Sequence, residues 1–416
     1  MIQTSVHICS PATVLVADEI CVRNKLFGDV WRRPFNPEFP SSRRSCCRLA
    51  IGALFGSMLA VTAVHGANGP RVLKNPYQSV NWDKVQHYIA NFHAHTVYSD
   101  GRAEPDVLIK AYADAGYDIL AITDHDNYHI QREGERYTEP TAETTWPWTR
   151  WIEEQPAQIW EHQGLETSAF YPDLGKRGML AVRGNEFTTH PHIVSLFNNC
   201  GWLESGGQND DERLSCVQGQ GGLSWYAHPT DYVPGGRWET RVVDPTSWDA
   251  AVAYFGKYIT RYENHLGIEM QLRARRERDE ELLDRLLRAY YPEHDIYIYG
   301  GDDNHGTRVR DDATLNIVLA ESLTEESVRH ALVSGHNFVG SRSETYPVIN
   351  RITVHKEQHR IVVEVENSDR IRWIKNGEPY TEGHAIDYAD MEDAIVRFEI
   401  DIGEAVFYSQ AFYISH

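Results

Sequence analysis

The chain has 416 residues, with 60 acids against 40 bases and a net charge of −20. That length allows two or three domains and a sizeable core. A surface this acidic, with no basic stripe, repels polyanions and argues against a nucleic-acid polymer as partner.

The first segment differs from the rest. Residues 1–67 hold seven bases and four acids, a local +3 that leaves −23 for the remainder. Residues 49–64 form an uncharged run of 16, short of the roughly 20 that a spanning helix needs. Ser42-Arg-Arg-Ser-Cys-Cys-Arg48 precedes the run, and small residues follow it to Gly66 and Ala67. This three-part layout predicts a cleaved signal peptide and a periplasmic mature protein with no stable membrane span. Arg43-Arg44 before the apolar run also matches a twin-arginine signal. An uncleaved anchor is the alternative. Four of the six cysteines (Cys9, Cys21, Cys46, Cys47) fall in this segment, leaving Cys200 and Cys216 around a Gly- and Asp-rich loop. In an oxidising compartment that pair predicts a disulfide, with free thiols as the alternative. Residues 68–84 read as a linker.

From residue 85 polar ligand types recur where apolar segments stop. In Asn91-Phe-His-Ala-His-Thr-Val-Tyr-Ser-Asp-Gly101, strand parity puts His93 and His95 on one face, the geometry for a shared divalent metal. Asp100 follows in a Ser-Asp-Gly turn. Residues 105–115 read as a helix, with Pro105 at its start, Val107, Leu108, Tyr112 and Ala115 on one face, and Gly116 as a stop. The next apolar run, Ile119-Leu-Ala-Ile, leads into Thr123-Asp-His125-Asp126, completing a β-α-β unit. Residues 127–178 form an insertion with Trp146, Trp148, Trp151 and Trp160, readable as a lid or as helices on the flank. A strand from Met179 then ends in Glu186, and His190-Pro-His192 precedes Ile-Val-Ser-Leu-Phe. Ser224-Trp-Tyr-Ala-His228 and Leu266-Gly-Ile-Glu269 end two more strands. Residues 277–290 read as a helix with Leu282, Leu283, Leu286 and Leu287 as its core stripe, and Ile296-Tyr-Ile-Tyr leads into Asp302-Asp-Asn-His305. Barrels of parallel strands gather catalytic side chains at C-terminal strand ends, and these segments have that rhythm.

After Pro347 the periodicity changes to two. Five short strands are predicted at 348–354, 360–366, 371–375, 394–400 and 405–414, with Asn376-Gly377 as a hairpin signal. They carry no catalytic cluster, so a small structural sandwich docked on the preceding domain is expected, with glycan or partner binding as a minor alternative.

The series His93-x-His95-Thr-x-x-Ser-Asp100-Gly, Thr-Asp-His125, Glu186 with a following His, Ala-His228-Pro and Asp303-x-His305 resembles that of the polymerase-and-histidinol-phosphatase (PHP) metallohydrolases, in the family's order. The later Leu-Thr-Glu-Glu-Ser-Val-Arg-His-Ala-Leu-Val-Ser-Gly and Ile371-Arg-Trp-Ile-Lys-Asn-Gly377 resemble the carbaryl-hydrolase-like branch. The resemblance implies an α/β fold: a distorted (β/α)7, TIM-like barrel of the PHP type over 85–345, then an all-β immunoglobulin-like sandwich over 346–416. It also implies a site of two or three metals. His93, His95, Glu186 and Asp303 would hold one ion; Glu186 would bridge to a second held by His192 and His228; Asp100, His125 and His305 would complete a third. His190 is the alternative to His192. Imidazole and carboxylate donors without thiolate suit Zn, Mn or Fe.

Three carboxylates offset half the charge of three divalent ions, leaving about +3 for an anionic substrate. Asp124, Asp126 and Asp302 are extra acids beside ligands, expected to orient imidazoles, with a turn or cap role as the alternative for Asp126. Glu269 matches a family Glu near the site, and Arg183 and Arg308 are candidate phosphate contacts. The expected function is an exported phosphoesterase for a small anionic phosphate ester, using metal-activated water. A carbamate, amide or ester hydrolase with the same metals, or a non-catalytic binding protein, are the alternatives.

Overall fold

The computed structural model describes residues 69–97, 99–125, 159–160, 179–188, 191–198, 200, 209–238 and 247–416. The export segment with Arg43 and Arg44, and Asp126, Trp146, Trp148, Trp151 and His190, lie outside the described residues. Among the described residues, no helix is long and apolar enough to cross a membrane.

In chain order the elements are β1 (Arg71–Lys74), β2 (Gln86–Asn91), α1 (Pro105–Asp114), β3 (Ile119–Ile122), β4 (Ile159–Trp160), β5 (Met179–Phe187) and β6 (Ile193–Leu196). There follow α2 (Asp210–Gly219), β7 (Leu223–Tyr226), α3 (Trp248–Ile259), β8 (His265–Met270), α4 (Leu272–Tyr290) and β9 (Tyr297–Gly300). Then come β10 (Thr314–Ala320), α5 (Glu325–Val333) and β11 (Asn337–Ser341). Helix α1 starts at Pro105 and Gly116 follows it with φ 83°, as the sequence predicts. Helix α4 starts five residues before the predicted 277. The supposed loop between the cysteines runs into α2, which carries Cys216; Asn209 caps the helix by accepting a bond from the Glu212 N–H at 3.0 Å, and three acids fill its first turn.

A 16-stranded sheet contains the run β10-β2-β3-β5-β6-β7-β8-β9. Pairs β2–β3, β3–β5, β7–β8 and β8–β9 are parallel. A regular β/α repeat would make β6 parallel as well, yet it pairs antiparallel with both neighbours. Only residues 188–192 link β5 to β6, too few for the crossover that a parallel pair requires. The sheet curls back on itself. Phe92, just past β2, and Trp225 of β7 have ring centroids 6.0 Å apart, and Trp225 stacks on Tyr299 of β9 at 4.1 Å. A parallel bridge, Ala94–Asn304, joins the chain beyond β2 to the chain beyond β9. All four residues of β3 are buried, as expected for a strand covered on both faces: Ile119 and Ala121 join Val182, Leu196 and Trp225, while Leu120 and Ile122 pack with Leu108 and Tyr112 of α1.

The C-terminal stretch contains β12 (Val348–His355), β13 (Arg360–Glu366), β14 (Arg370–Lys375), β15 (Glu378–Glu382), β16 (Ala385–Asp387), β17 (Ala394–Ile402), β18 (Ala405–Tyr408) and β19 (Phe412–Ser415). Strands β12, β13 and β16 form a separate sheet, while β18 pairs with β11 and so joins the large one. The stretch read as a linker contributes β1, which pairs antiparallel with β19. The strand predicted at 405–414 breaks in two because Gln410 has another task. Its side chain accepts from the Ile298 N–H and donates to the Ile298 carbonyl, both at 2.9 Å, closing the edge of β9 as a neighbouring strand would.

Candidate metal centre

Strand β2 ends at Asn91, so His93 and His95 lie beyond it. The Ala94–Asn304 bridge keeps that segment extended, with the His95 N–H donating to the Asn304 carbonyl at 2.9 Å, and the two imidazoles converge as parity predicts. Their Nε2 atoms are 3.1 Å apart. Asp100 is delivered by a turn in which the Gly101 N–H bonds to the Thr96 carbonyl at 2.9 Å; a Cβ at Gly101 would strike the His95 carbonyl. His125 follows β3 and bridges to Glu186 on β5. His192 opens β6. His228 and Asp303 both sit in the left-handed region, at φ 30° and 49°. Such backbone costs about 1–3 kcal/mol in a non-glycine residue and persists where surrounding structure imposes it, commonly at functional sites.

The donors form three groups: His93, His95, Glu186 and Asp303; His95, Asp100, His125 and His305; and His125, Glu186 and His192. In the first, both Nε2 atoms lie 3.2 Å from Glu186 Oε2, and they lie 3.4 and 3.2 Å from Asp303 Oδ1. With metal–donor bonds near 2.0 Å, the edges of a tetrahedral site are roughly 3.3 Å. These donor separations therefore fit one ion. The second group has His305 Nε2 and His125 Nε2 at 2.9 and 3.4 Å from Asp100 Oδ1. Around Glu186, His192 Nδ1 and His228 Nε2 face Oε1 at 2.8 and 3.0 Å, and His125 Nδ1 faces Oε2 at 2.9 Å. All nine predicted donors are thus brought together. His228 reaches the cluster through Glu186, and His95 and His125 each touch two groups where the resemblance implied one.

Charge balance explains the titration of this cluster. Burial opposes charge on His93, but Glu269, Glu186 and Asp303 outweigh it and hold the imidazole well above its ordinary pKa. Burial is likewise overcome at His125, raised by Glu186 and Asp100, and at His305, raised by Asp100 and Asp303. His192 goes the other way, lowered by burial. Burial would raise Glu186 and Asp303, yet the surrounding imidazoles hold both well below the usual carboxylate range. Cations therefore belong here, whether protons on the rings or metal ions in their place.

The flanking acids divide by task. Glu269, fully buried on β8, holds His93 Nδ1 at 2.7 Å with Oε2, while Oε1 accepts from Gln271 Nε2 at 2.8 Å and from the His228 N–H at 3.3 Å. It is a positioning residue for two of the donors. Asp124 does not bond an imidazole directly: it accepts from the Thr96 N–H at 2.7 Å and from the Thr96 and Ser99 hydroxyls at 2.6 Å, and Ser99 faces His95 Nδ1 at 3.3 Å. Asp302 bonds the Tyr112 hydroxyl on α1 at 2.8 Å, and burial raises its carboxyl to about 7. Arg183 stands three residues from Glu186 on β5, an odd separation that turns it to the other face. Sequence reasoning missed Tyr232 and Trp238. These rings pack near His192 and His228, with His192–Trp238 centroids 5.3 Å apart. Tyr232 ends a single 3-10 turn, Pro229–Tyr232, and Trp238 lies in a turn, so neither belongs to an element long enough to show a periodic pattern.

Residues 91–291 match the PHP domain family model. The match spans seven of the nine donors, with Asp303 and His305 beyond it. A two-domain protein containing a predicted PHP-like metal-dependent phosphoesterase, from Bacteroides vulgatus, is similar at 17% identity and TM-score 0.45, over 80% of this chain and 96% of that one. A candidate metal-dependent phosphoesterase from Bifidobacterium adolescentis is similar at 18% identity and TM-score 0.32, over 59% of this chain and 96% of that one. Endonuclease Q, bound to a 27-mer duplex with an abasic lesion, is similar at 11% identity and TM-score 0.35, over 59% and 56%. No curated protein matches the sequence. With its matched segment and its converging donors, this chain carries a PHP domain and is a metal-dependent hydrolase.

Proposed function

We propose that the protein is a phosphoesterase acting on small anionic phosphate esters. In this reading His93, His95, Glu186 and Asp303 hold one ion, Glu186 with His192 and His228 a second, and Asp100, His125 and His305 a third. The observation that carries it is the near-tetrahedral set of donor separations, 3.1 to 3.4 Å, at the first group. Divalent ions held there would supply a hydroxide at neutral pH and compensate charge on the leaving oxygen. The chain itself supplies aim and exclusion: Glu269 fixes the His93 ring, the Asp124–Ser99 pair braces His95, and Tyr232 and Trp238 wall one side.

We read the curled sheet as a distorted seven-strand barrel, and residues 346–416 as a β-sandwich that borrows β1 as an edge strand. Three divalent ions less three carboxylates would leave about +3 at the site, which favours an anionic substrate over the neutral carbamate or carboxylic ester of the alternative reading. The test is a panel of phosphate mono- and diesters beside aryl carbamates and esters on metal-loaded protein, with inorganic phosphate added. Turnover of phosphoesters with competitive inhibition by phosphate is expected. Turnover of carbamates alone, unaffected by millimolar phosphate, would overturn the proposal. Residues 1–67 are proposed as a twin-arginine export signal, and unimpaired export of the R43K/R44K variant would remove that route.

A further inference from the structure

The metal cluster opens on one side into a cleft of about 1190 Å³, reached past Asp303 and His305. Its far wall comes from another part of the chain: Glu404 and Ala405, at the turn between β17 and β18, line it with Arg342. A single phosphate needs only a small fraction of that space. The volume is that of a site for a ligand with a body of its own, at or above the roughly 300–1,000 Å³ of ordinary small-molecule pockets.

Four arginines line this cleft, and they are not alike. Arg310 pairs with Asp312 at 3.2 Å and Arg342 with Asp311 at 3.2 Å, so each has a local counter-charge. Arg102 and Arg308 are exposed, and among the described residues neither has an ion pair. Both are nonetheless fixed at the backbone on either side of His305. The Arg102 N–H donates to the His305 carbonyl at 3.1 Å. Buried Asn304 staples the other arm, donating to the Arg308 carbonyl at 3.2 Å and accepting from the Gly306 N–H at 2.8 Å. Two guanidinium groups without an ion-pair partner among the described residues, on braced backbone beside a cluster that would bind anions through metals, are well suited to a second anion: the planar fork binds phosphate and carboxylate through paired hydrogen bonds.

We propose that the cleft binds the distal end of the substrate, and that the substrate is a small phosphoester carrying a second anionic group held between Arg102 and Arg308. This rests on the phosphoesterase reading of the metal cluster. The chain's overall charge of −20 suits the same class, since it disfavours long polyanions while two local arginines still attract a short dianion.

The test uses ligands that cannot be hydrolysed, titrated calorimetrically into the metal-loaded full chain. An alkyl monophosphonate, the matching alkane bisphosphonate and the matching phosphono-carboxylate are compared over a range of chain lengths. At the best length the two bis-anionic ligands should bind about tenfold or more tightly than the monophosphonate, a gap that added salt narrows. If only one of the two does so, it identifies the distal group as phosphate-like or carboxylate. In R102A/R308A the ratio of bis- to mono-anion affinity should collapse toward one. A ratio near one in the unaltered protein at every length would overturn this inference and leave the phosphoesterase reading standing. So would a ratio that survives in R102A/R308A, including the case where both ligands weaken equally because the arginines grip the first phosphonate. Failure of every phosphonate to bind would overturn both readings.

Discussion

Glu269 and His93 are 176 residues apart in the chain, and their Oε2 and Nδ1 atoms lie 2.7 Å apart, both side chains fully buried. A carboxylate behind a metal-facing imidazole fixes its tautomer and raises its basicity. Glu269→Gln keeps a hydrogen-bond acceptor but removes the charge that heads the forces raising the His93 pKa. Metal affinity, read by chelator competition, should fall about 10- to 100-fold. Unchanged affinity would show that Glu269 acts on packing alone.

Gly301 tests the same contact from behind. It has ordinary backbone, but a Cβ there would collide with the Glu269 carboxylate. Gly301→Ala should therefore weaken metal binding about as much as Glu269→Gln, because it displaces the carboxylate without altering any donor. A melting temperature lowered with metal affinity intact would mean that the strain is absorbed elsewhere.

Glu186 offers both oxygens to the cluster, Oε1 to His192 and His228 and Oε2 to His93, His95 and His125. Glu186→Ala should lower turnover by about a thousandfold or more, since it removes the oxygen donors shared between ion sites. The apolar layers around Trp225 and Leu120 do not depend on it, so the circular dichroism spectrum should persist. Near-normal turnover would refute the ligand assignment.

Acid should strip the metals. His93, His125 and His305 have pKa values raised in the metal-free cluster, so protons occupy these rings more readily than ordinary imidazole and must leave when metal binds. Affinity should consequently fall as pH is lowered, by about tenfold per pH unit for each proton displaced. Titrations in buffers of different ionisation enthalpy would count those protons. Affinity independent of pH across about 6 to 8 would contradict the charge balance described for the cluster.

The structure joins Cys200 to Cys216 by a disulfide at a separation of 16 residues. Closing a loop of that size contributes about 3 kcal/mol in the chain-entropy model. Reduction should lower the denaturation midpoint without releasing metal, because neither sulfur is among the donors. Loss of metal on reduction would tie that loop to the site.

Local order in the chain marked the candidate donors, and the family resemblance assigned them to ions. His93 and His95 at i and i+2, Glu186 at the end of a nine-residue apolar strand and Asp303 after Ile-Tyr-Gly-Gly were legible because strand parity and strand ends are properties of a few consecutive residues. Helix α1 was legible for the same reason, from Pro105 to Gly116. What the tertiary structure decided depends on contacts between distant segments. Nothing near Glu269 marks it as the partner of His93. Nothing near Gln410 says that its amide will close the edge of β9 and so break a strand in two. The reversal of β6 lay between these cases: the short 188–192 link was visible in the sequence, but its consequence follows only once β5 and β6 are known to be neighbours. Asp124 shows the limit most directly. Its place beside His125 suggested an imidazole partner, and folding instead presented it with the Thr96 and Ser99 hydroxyls, which three-dimensional proximity alone could select.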